Sequence, residues 1–219
     1  MATTLQDPKV ESLLDRMYAE SKTQMSRLRG MHGQLDRPMT TQERTEAMSE
    51  FYIPVTPEAG RLLYALIRAT RPKTVVEFGM SFGISAVHLA AAVRDNGSGR
   101  VVTTELSTTK IAAAKKTFAE TALDDVITIL EGDALNTLEG LDGPADFVLL
   151  DGWKDLYLPV IKLLEPRLPT GALVIADNAS AADMKPYLDY VRNPGNGYIS
   201  FNFLARESDS MEISCRTND

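Results

Sequence analysis

Four side chains in the second half of the chain are of types that do chemistry together: Asp151, Lys154, Asp177 and Asn178. The apolar run Phe147-Val148-Leu149-Leu150 delivers Asp151, and Leu173-Val174-Ile175-Ala176 delivers Asp177 and Asn178. Nearly continuous apolar runs of this length read as buried strands of a parallel sheet, and such sheets bind ligands beyond the carboxyl ends of their strands. Two carboxylates and an amide therefore meet at neighbouring strand ends. Carboxylates side by side need a cation or donors to compensate them. Oxygen ligands without His or Cys suit Mg2+, Mn2+ or Ca2+ and argue against zinc. Lys154 has two readings. Near a divalent cation its ammonium form is disfavoured, which makes it a general base; alone it would be a solvated lysine paired with Asp155. The adjacent acids favour the base. Trp153, the only tryptophan, either shields a cofactor or fills a loop core.

A second group lies upstream. The first apolar run ends in Glu77-Phe78-Gly79-Met80-Ser81-Phe82-Gly83, and Ile84 opens a helix. Gly79 and Gly83 permit a tight turn and close approach to the backbone, although a plain strand-to-helix turn explains a glycine pair as well. Glu105 ends the second run, Val101-Val102-Thr103-Thr104, where an acid can accept from both hydroxyls of a ribose. Asp133, in Gly132-Asp133-Ala134 after the third run, can accept from an exocyclic amine. Together these select an adenosine-like ligand. A dinucleotide site expects Gly-x-Gly-x-x-Gly; here the spacing is Glu-x-Gly-x-x-x-Gly, with no third glycine for a pyrophosphate. That favours S-adenosylmethionine over NAD. Glu77 has an alternative reading as a partly buried acid that only orders the loop.

Positioning these groups requires alternating strands and helices. Strands are expected over 74–78, 100–104, 126–130, 145–150 and 172–176, with helices over 84–93, 108–122 and 157–168 between them. Such alternation implies a mainly parallel sheet covered on both faces. Residues 198–204 and 211–216 flank Glu207-Ser208-Asp209-Ser210 and read as a hairpin at the sheet edge. Before the alternation begins, Val10, Leu13, Leu14, Met17, Tyr18, Met25 and Leu28 recur at helical spacing, which predicts an amphipathic helix ending near Gly30. A looser stretch over 32–40 and a short helix over 42–48 follow. Thr56-Pro57-Glu58 has the N-cap, first-position proline and first-turn acid of a helix start. The expected fold is α/β, a Rossmann-like doubly wound, seven-stranded sheet with a C-terminal antiparallel hairpin. Residues 1–55 would form an N-terminal helical extension and residues 56–219 the catalytic domain.

Composition narrows the classes further. At 219 residues, roughly 70–75% of the unfolded surface can be buried, so one core needs no staple. A single cysteine, Cys215, excludes an intramolecular disulfide and a multi-cysteine zinc site. With 23 basic against 30 acidic residues and a net charge of -7, no nucleic-acid surface is expected. The polar start lacks a signal-peptide profile, and no stretch approaches the ~20 apolar residues that cross a bilayer. A cytoplasmic protein with no membrane contact is the expectation.

Residues 74–178 resemble the class I S-adenosylmethionine-dependent methyltransferases, whose first motif is Glu/Asp-x-Gly-x-x-x-Gly after strand one and whose second is an acid ending strand two. The resemblance implies a cofactor site that includes Glu77 and Gly83, with Gly79, Met80, Ser81 and Ser85 around the methionine part. Glu105 would hold the ribose, Asp133 would lie near the adenine, and Asp151 and Trp153 would lie alongside. Leu150-Asp151-Gly152-Trp153-Lys154-Asp155-Leu156-Tyr157-Leu158-Pro159 is similar to the Asp-x-Trp-Lys-Asp-x-Tyr-Leu-Pro segment of the catechol O-methyltransferases. Ala176-Asp177-Asn178 likewise matches that family's second metal segment. The resemblance implies Mg2+ (or Mn2+ or Ca2+) on Asp151, Asp177 and Asn178, with Lys154 deprotonating a hydroxyl of a small phenolic substrate. Two positions depart from the family pattern. Aligning Asp209-Ser210-Met211-Glu212 with its C-terminal hairpin puts Phe203 where an acid clamps the second substrate hydroxyl, with Glu207 nearby but out of register. The aromatic residue of its first glycine loop falls at Ser81. Segments like 1–55 cap the substrate pocket or mediate homodimer contacts in this family. The expected function is metal-dependent methyl transfer to a catechol-like hydroxyl. An NAD-dependent oxidoreductase and a non-catalytic cofactor-binding protein on the same fold are the alternatives. A base methyltransferase is disfavoured by the charge and by the lack of an Asn/Asp-Pro-Pro-Tyr motif.

Overall fold

The computed structural model describes residues 3–35, 38–206 and 209–218. Seven strands form one sheet: β1 (Thr74–Phe78), β2 (Arg100–Glu105), β3 (Ile127–Glu131), β4 (Phe147–Leu150), β5 (Leu173–Ala176), β6 (Tyr198–Arg206) and β7 (Asp209–Arg216). Their order is β3-β2-β1-β4-β5-β7-β6. The first five run parallel, and β7 enters antiparallel between β5 and β6. Strand order therefore reverses between β1 and β4, the place where a doubly wound sheet opens its ligand crevice. The expected α/β class, the parallel run and the C-terminal antiparallel pair are all present.

Alternation of side chains along the central strands feeds two cores. Val75, Phe147 and Leu149 enter one, with α3 (Pro57–Thr70), α4 (Ile84–Asn96) and α5 (Thr108–Glu120). Val76, Val148 and Leu150 enter the other, with α7 (Tyr157–Leu164) and α8 (Lys185–Val191). A sheet buried on both faces needs apolar residues at every strand position, and β1 and β4 are buried throughout. α3 starts as its sequence predicts: Thr56 Oγ1 accepts from Ala59 N at 3.1 Å, a cap worth about 1 kcal/mol. α7 stops at Leu164 rather than reaching Leu168, and Glu165–Arg167 form a 3-10 turn instead. Pro166 lacks an N–H and crowds the preceding turn, which favours that stop.

The amino-terminal helix α1 runs Pro8–Leu35 and does not end near Gly30. A glycine inside a helix costs only about 1 kcal/mol, so it does not enforce a stop. Val10, Leu13, Leu14 and Met17 of α1 are buried in the core of α3 and α4. Tyr18 Oη lies 3.3 Å from Nε2 of His88 on α4. A short helix, α2 (Thr41–Ala47), follows, closed by reciprocal bonds between Thr40 and Glu43, the capping-box arrangement. No helix among the described residues is long and apolar enough to cross a membrane.

Candidate active site

The glycine loop is shaped by what packs against it. Gly79 has φ +96°, and a Cβ there would stand 2.7 Å from the Gly152 backbone. The same freedom brings the ends of β1 and β4 together. Gly83, at φ +91°, caps α4, and a Cβ would meet the Phe118 ring at 2.7 Å. Between them Ser81 adopts φ +51°, uncommon for a residue with a side chain. Its N–H donates to Glu105 Oε2 at 2.8 Å. Glu105 Oε1 accepts from the N–H groups of Leu106 and Ser107 at 2.9 and 2.8 Å. One carboxylate thus fixes both walls of the crevice, and its remaining lone pairs can still accept from a diol.

Asp151 and Asp177 leave adjacent strands in register, since Leu150 pairs with Ala176. Their N–H groups continue the ladder, Asp151 to the Phe78 carbonyl at 2.9 Å and Asp177 to the Leu150 carbonyl at 3.0 Å. Lys154 follows Asp151 in the loop after β4. Its Nζ donates to the Gly152 carbonyl at 3.0 Å and to Tyr157 Oη at 2.9 Å, and stands 3.9 Å from Asp151 Oδ1. Tyr157 Oη in turn donates to the Asp177 carbonyl at 3.3 Å. Burial holds that phenol well above its ordinary pKa, with Asp151 and then Asp177 adding to the rise, so it stays a neutral support. The reading of Lys154 as a partner of Asp155 is corrected by Arg44, whose Nη1 and Nη2 hold Asp155 at 3.1 and 2.9 Å. Asn178 has φ +58°, a conformation Asn tolerates. Its Nδ2 donates to Asp209 Oδ2 at 2.7 Å, which leaves the amide oxygen for other work. Asp209 was missed in the sequence. It opens β7, and only the return of β7 beside β5 brings it to Asn178.

A cavity of about 540 Å³ opens over these residues, lined by Gly79, Ser81, Glu105, Asp133, Asp151, Trp153, Lys154 and Asn178. Asp133 also caps the one-turn helix α6 (Ala134–Thr137), accepting from Leu135 N at 2.9 Å. Met80 and Ser85 face a small adjoining pocket that Ser81 and Asp151 border as well. Glu77 and Gly83 line neither cavity, and Asp177 is buried and lines neither of them. Glu77 is fully buried, accepts from Thr103 Oγ1, and is pushed by burial up to about 7; the Ser85 and Thr103 hydroxyls oppose that rise. The roof is α2. Thr45 Oγ1 accepts from Trp153 Nε1 at 3.2 Å, and the Arg44 guanidinium stands 4.7 Å from the Trp153 ring centre. Thr41, Thr45 and Met48 line the cavity from above.

Residues 76–179 match a family model described as a methyltransferase domain. Catechol O-methyltransferase B of Danio rerio is 30% identical over 178 residues, 75% of this chain and 66% of its own. The catechol O-methyltransferase of Sus scrofa is 31% identical over 143 residues, 62% of this chain and 76% of its own. The chain belongs to the catechol O-methyltransferase-like family of S-adenosylmethionine-dependent O-methyltransferases. The chain spans just under two thirds of the zebrafish relative's length. An O-methyltransferase from Bacillus cereus, solved in complex with S-adenosylhomocysteine, shares the fold at a TM-score of 0.68, with 18% identity over 90% of this chain and 99% of its own. Membership in this O-methyltransferase family sets aside the reading as an NAD-dependent oxidoreductase.

Within the methyltransferase site, the donor set fits a hard divalent cation. Two carboxylates emerge from paired positions of adjacent strands, and the neighbouring amide presents oxygen because Asp209 takes its nitrogen. All available atoms are oxygens, as Mg2+ and its like prefer. Among the described residues no cluster of three or more His, Cys, Asp or Glu gathers to hold a metal. Phe203 is half-buried against the core, and Glu207 lies outside the described residues.

Proposed function

We propose that the protein methylates one hydroxyl of a vicinal dihydroxy aromatic compound in a divalent-metal-dependent reaction. The observation that carries this reading is Lys154 Nζ, held 3.9 Å from Asp151 Oδ1 in the cavity that Glu105 and the glycine loop also line. Asp151, Asp177 and Asn178 would hold the metal. When bound, it lowers the pKa of a coordinated hydroxyl and fixes the acceptor. Lys154 takes the hydroxyl proton, with its ammonium then received by Asp151, the Gly152 carbonyl and Tyr157 Oη. The acceptor oxygen attacks the methyl group in line with the departing sulfur. A sulfonium needs no protonation to leave, so the residues act mainly by alignment, worth up to ~7–11 kcal/mol in a near-attack geometry. Glu105 and the loop hold the donor, and α2 with Trp153 keeps water out.

Asp151→Asn should abolish turnover of a generic catechol while binding of S-adenosylhomocysteine, which carries no sulfonium, stays within a few-fold of wild type by calorimetry. EDTA should stop the wild-type reaction, and added Mg2+ or Mn2+ should restore it. Full activity in either case contradicts the metal role.

A further inference from the structure

A methyl donor of this type brings a positive charge into the cavity. Its sulfur is bonded to the ribose carbon and must stand beside the acceptor oxygen. With Glu105 at the ribose end and Asp151 at the acceptor end, the sulfonium lies between these two carboxylates. A lysine faces the same cavity. Lys110, in the first turn of α5, is only 6% exposed and lines the cavity together with Ser81, Glu105 and Asp151. Its Nζ stands 5.6 Å from the ring centre of Phe82, which stacks on Tyr52 at 4.2 Å. Among the described residues no carboxylate lies within ion-pair distance of it. Burial pulls its pKa down, while Glu105 and Asp151 hold it up, so both acids act on the same ammonium. Ser81, next to Phe82 in the loop, puts no large side chain at this wall.

Resting on the methyltransferase reading, we propose that Lys110 is a specificity-determining residue that sets the charge preference of the cofactor site, disfavouring the cationic donor relative to its neutral product. A buried lysine is seldom kept without a partner. Here its charge belongs to the site, standing in for the sulfonium beside Glu105 and Asp151 when no donor is bound. On donor binding two like charges share a poorly screened cavity. During transfer the acceptor's electron pair forms the O–C bond and the S–C pair returns to sulfur, so the positive charge disappears. The repulsion is relieved as the reaction proceeds. Lys110 therefore weakens donor binding in the ground state, and the relief appears in kcat.

The test is calorimetry with three ligands of one shape: S-adenosylmethionine, sinefungin, which carries an amine in place of the sulfonium, and S-adenosylhomocysteine. Wild type is compared with Lys110→Met, Lys110→Gln and Lys110→Arg, each checked by thermal melting. Both neutral variants should bind the two cationic ligands about tenfold tighter, with S-adenosylhomocysteine changed by less than about twofold, and should show lower kcat. Lys110→Arg should keep the wild-type ratio. A parallel change for all three ligands, or an unchanged ratio, overturns the proposal, and the glutamine variant decides if the methionine one does not fold. Failure of all three to bind wild type would instead overturn the cofactor reading itself.

Discussion

Lys154 is held by three oxygen-bearing neighbours, and each was within reach of the sequence because Asp151, Gly152 and Tyr157 lie within three positions of it. Replacing it by methionine keeps the bulk and removes the base, so kcat should fall about 10²–10⁴-fold with little change in donor affinity; single-turnover kinetics and calorimetry check this. Glu77 behaves differently. Its folded pKa is raised from 4.5 to about 7 by burial, so the folded state keeps a proton that the unfolded chain releases between those values. That contribution is fully present below pH 4.5 and is lost as pH rises through 7. His88, lowered by burial from 6.5 to about 4, acts the other way: its contribution is present above 6.5 and lost as pH falls to 4. Only the difference between wild type and Glu77→Gln isolates the carboxyl. In urea unfolding the variant should gain up to about 3 kcal/mol on wild type between pH 4.5 and 8; a pH-independent difference would contradict this. The two readings offered by the motif, cofactor ligand or loop-ordering acid, cannot be separated in one dimension, because burial depends on what covers β1.

At the scale of elements, the strand ends were legible because apolar runs followed by acids carry a period-independent signal of buried parallel strands. The short helix α2 was also expected, but the contact that holds it over the cavity was not. Arg44 and Asp155 are 111 residues apart, and nothing local in either segment announces the other. The same holds for Asp209 and Asn178, joined only when β7 returns to β5, and for Lys110, which on an amphipathic helix reads as one more solvated charge. The Arg44–Asp155 pair is partly exposed and worth about 0–1 kcal/mol by itself, with a similar amount from stacking on Trp153. Its role is therefore to hold the roof rather than the fold. Arg44→Ala should leave the thermal midpoint nearly unchanged and raise KM for the acceptor about fivefold, with a smaller effect on kcat. An unchanged KM would show that α2 covers the cavity without that contact.

For the whole molecule, the acidic balance and the shortage of His and Cys acquire a physical meaning. Glu105, Asp133 and Asp151 gather at one end of the sheet around one cavity, where the proposed function places the donor and the metal, and Asp177 follows β5 in the same direction. The two cores support that arrangement, since β1 and β4 carry the loop and the acid on strands buried on both faces. Under the proposed function the acceptor binds through two vicinal oxygens on a divalent metal. The most direct test compares catechol, phenol and a mono-O-methylated catechol as acceptors with S-adenosylmethionine and Mg2+, following S-adenosylhomocysteine formation. Turnover of catechol alone, abolished by EDTA, is the expected result; equal turnover of phenol, or turnover indifferent to EDTA, would contradict it.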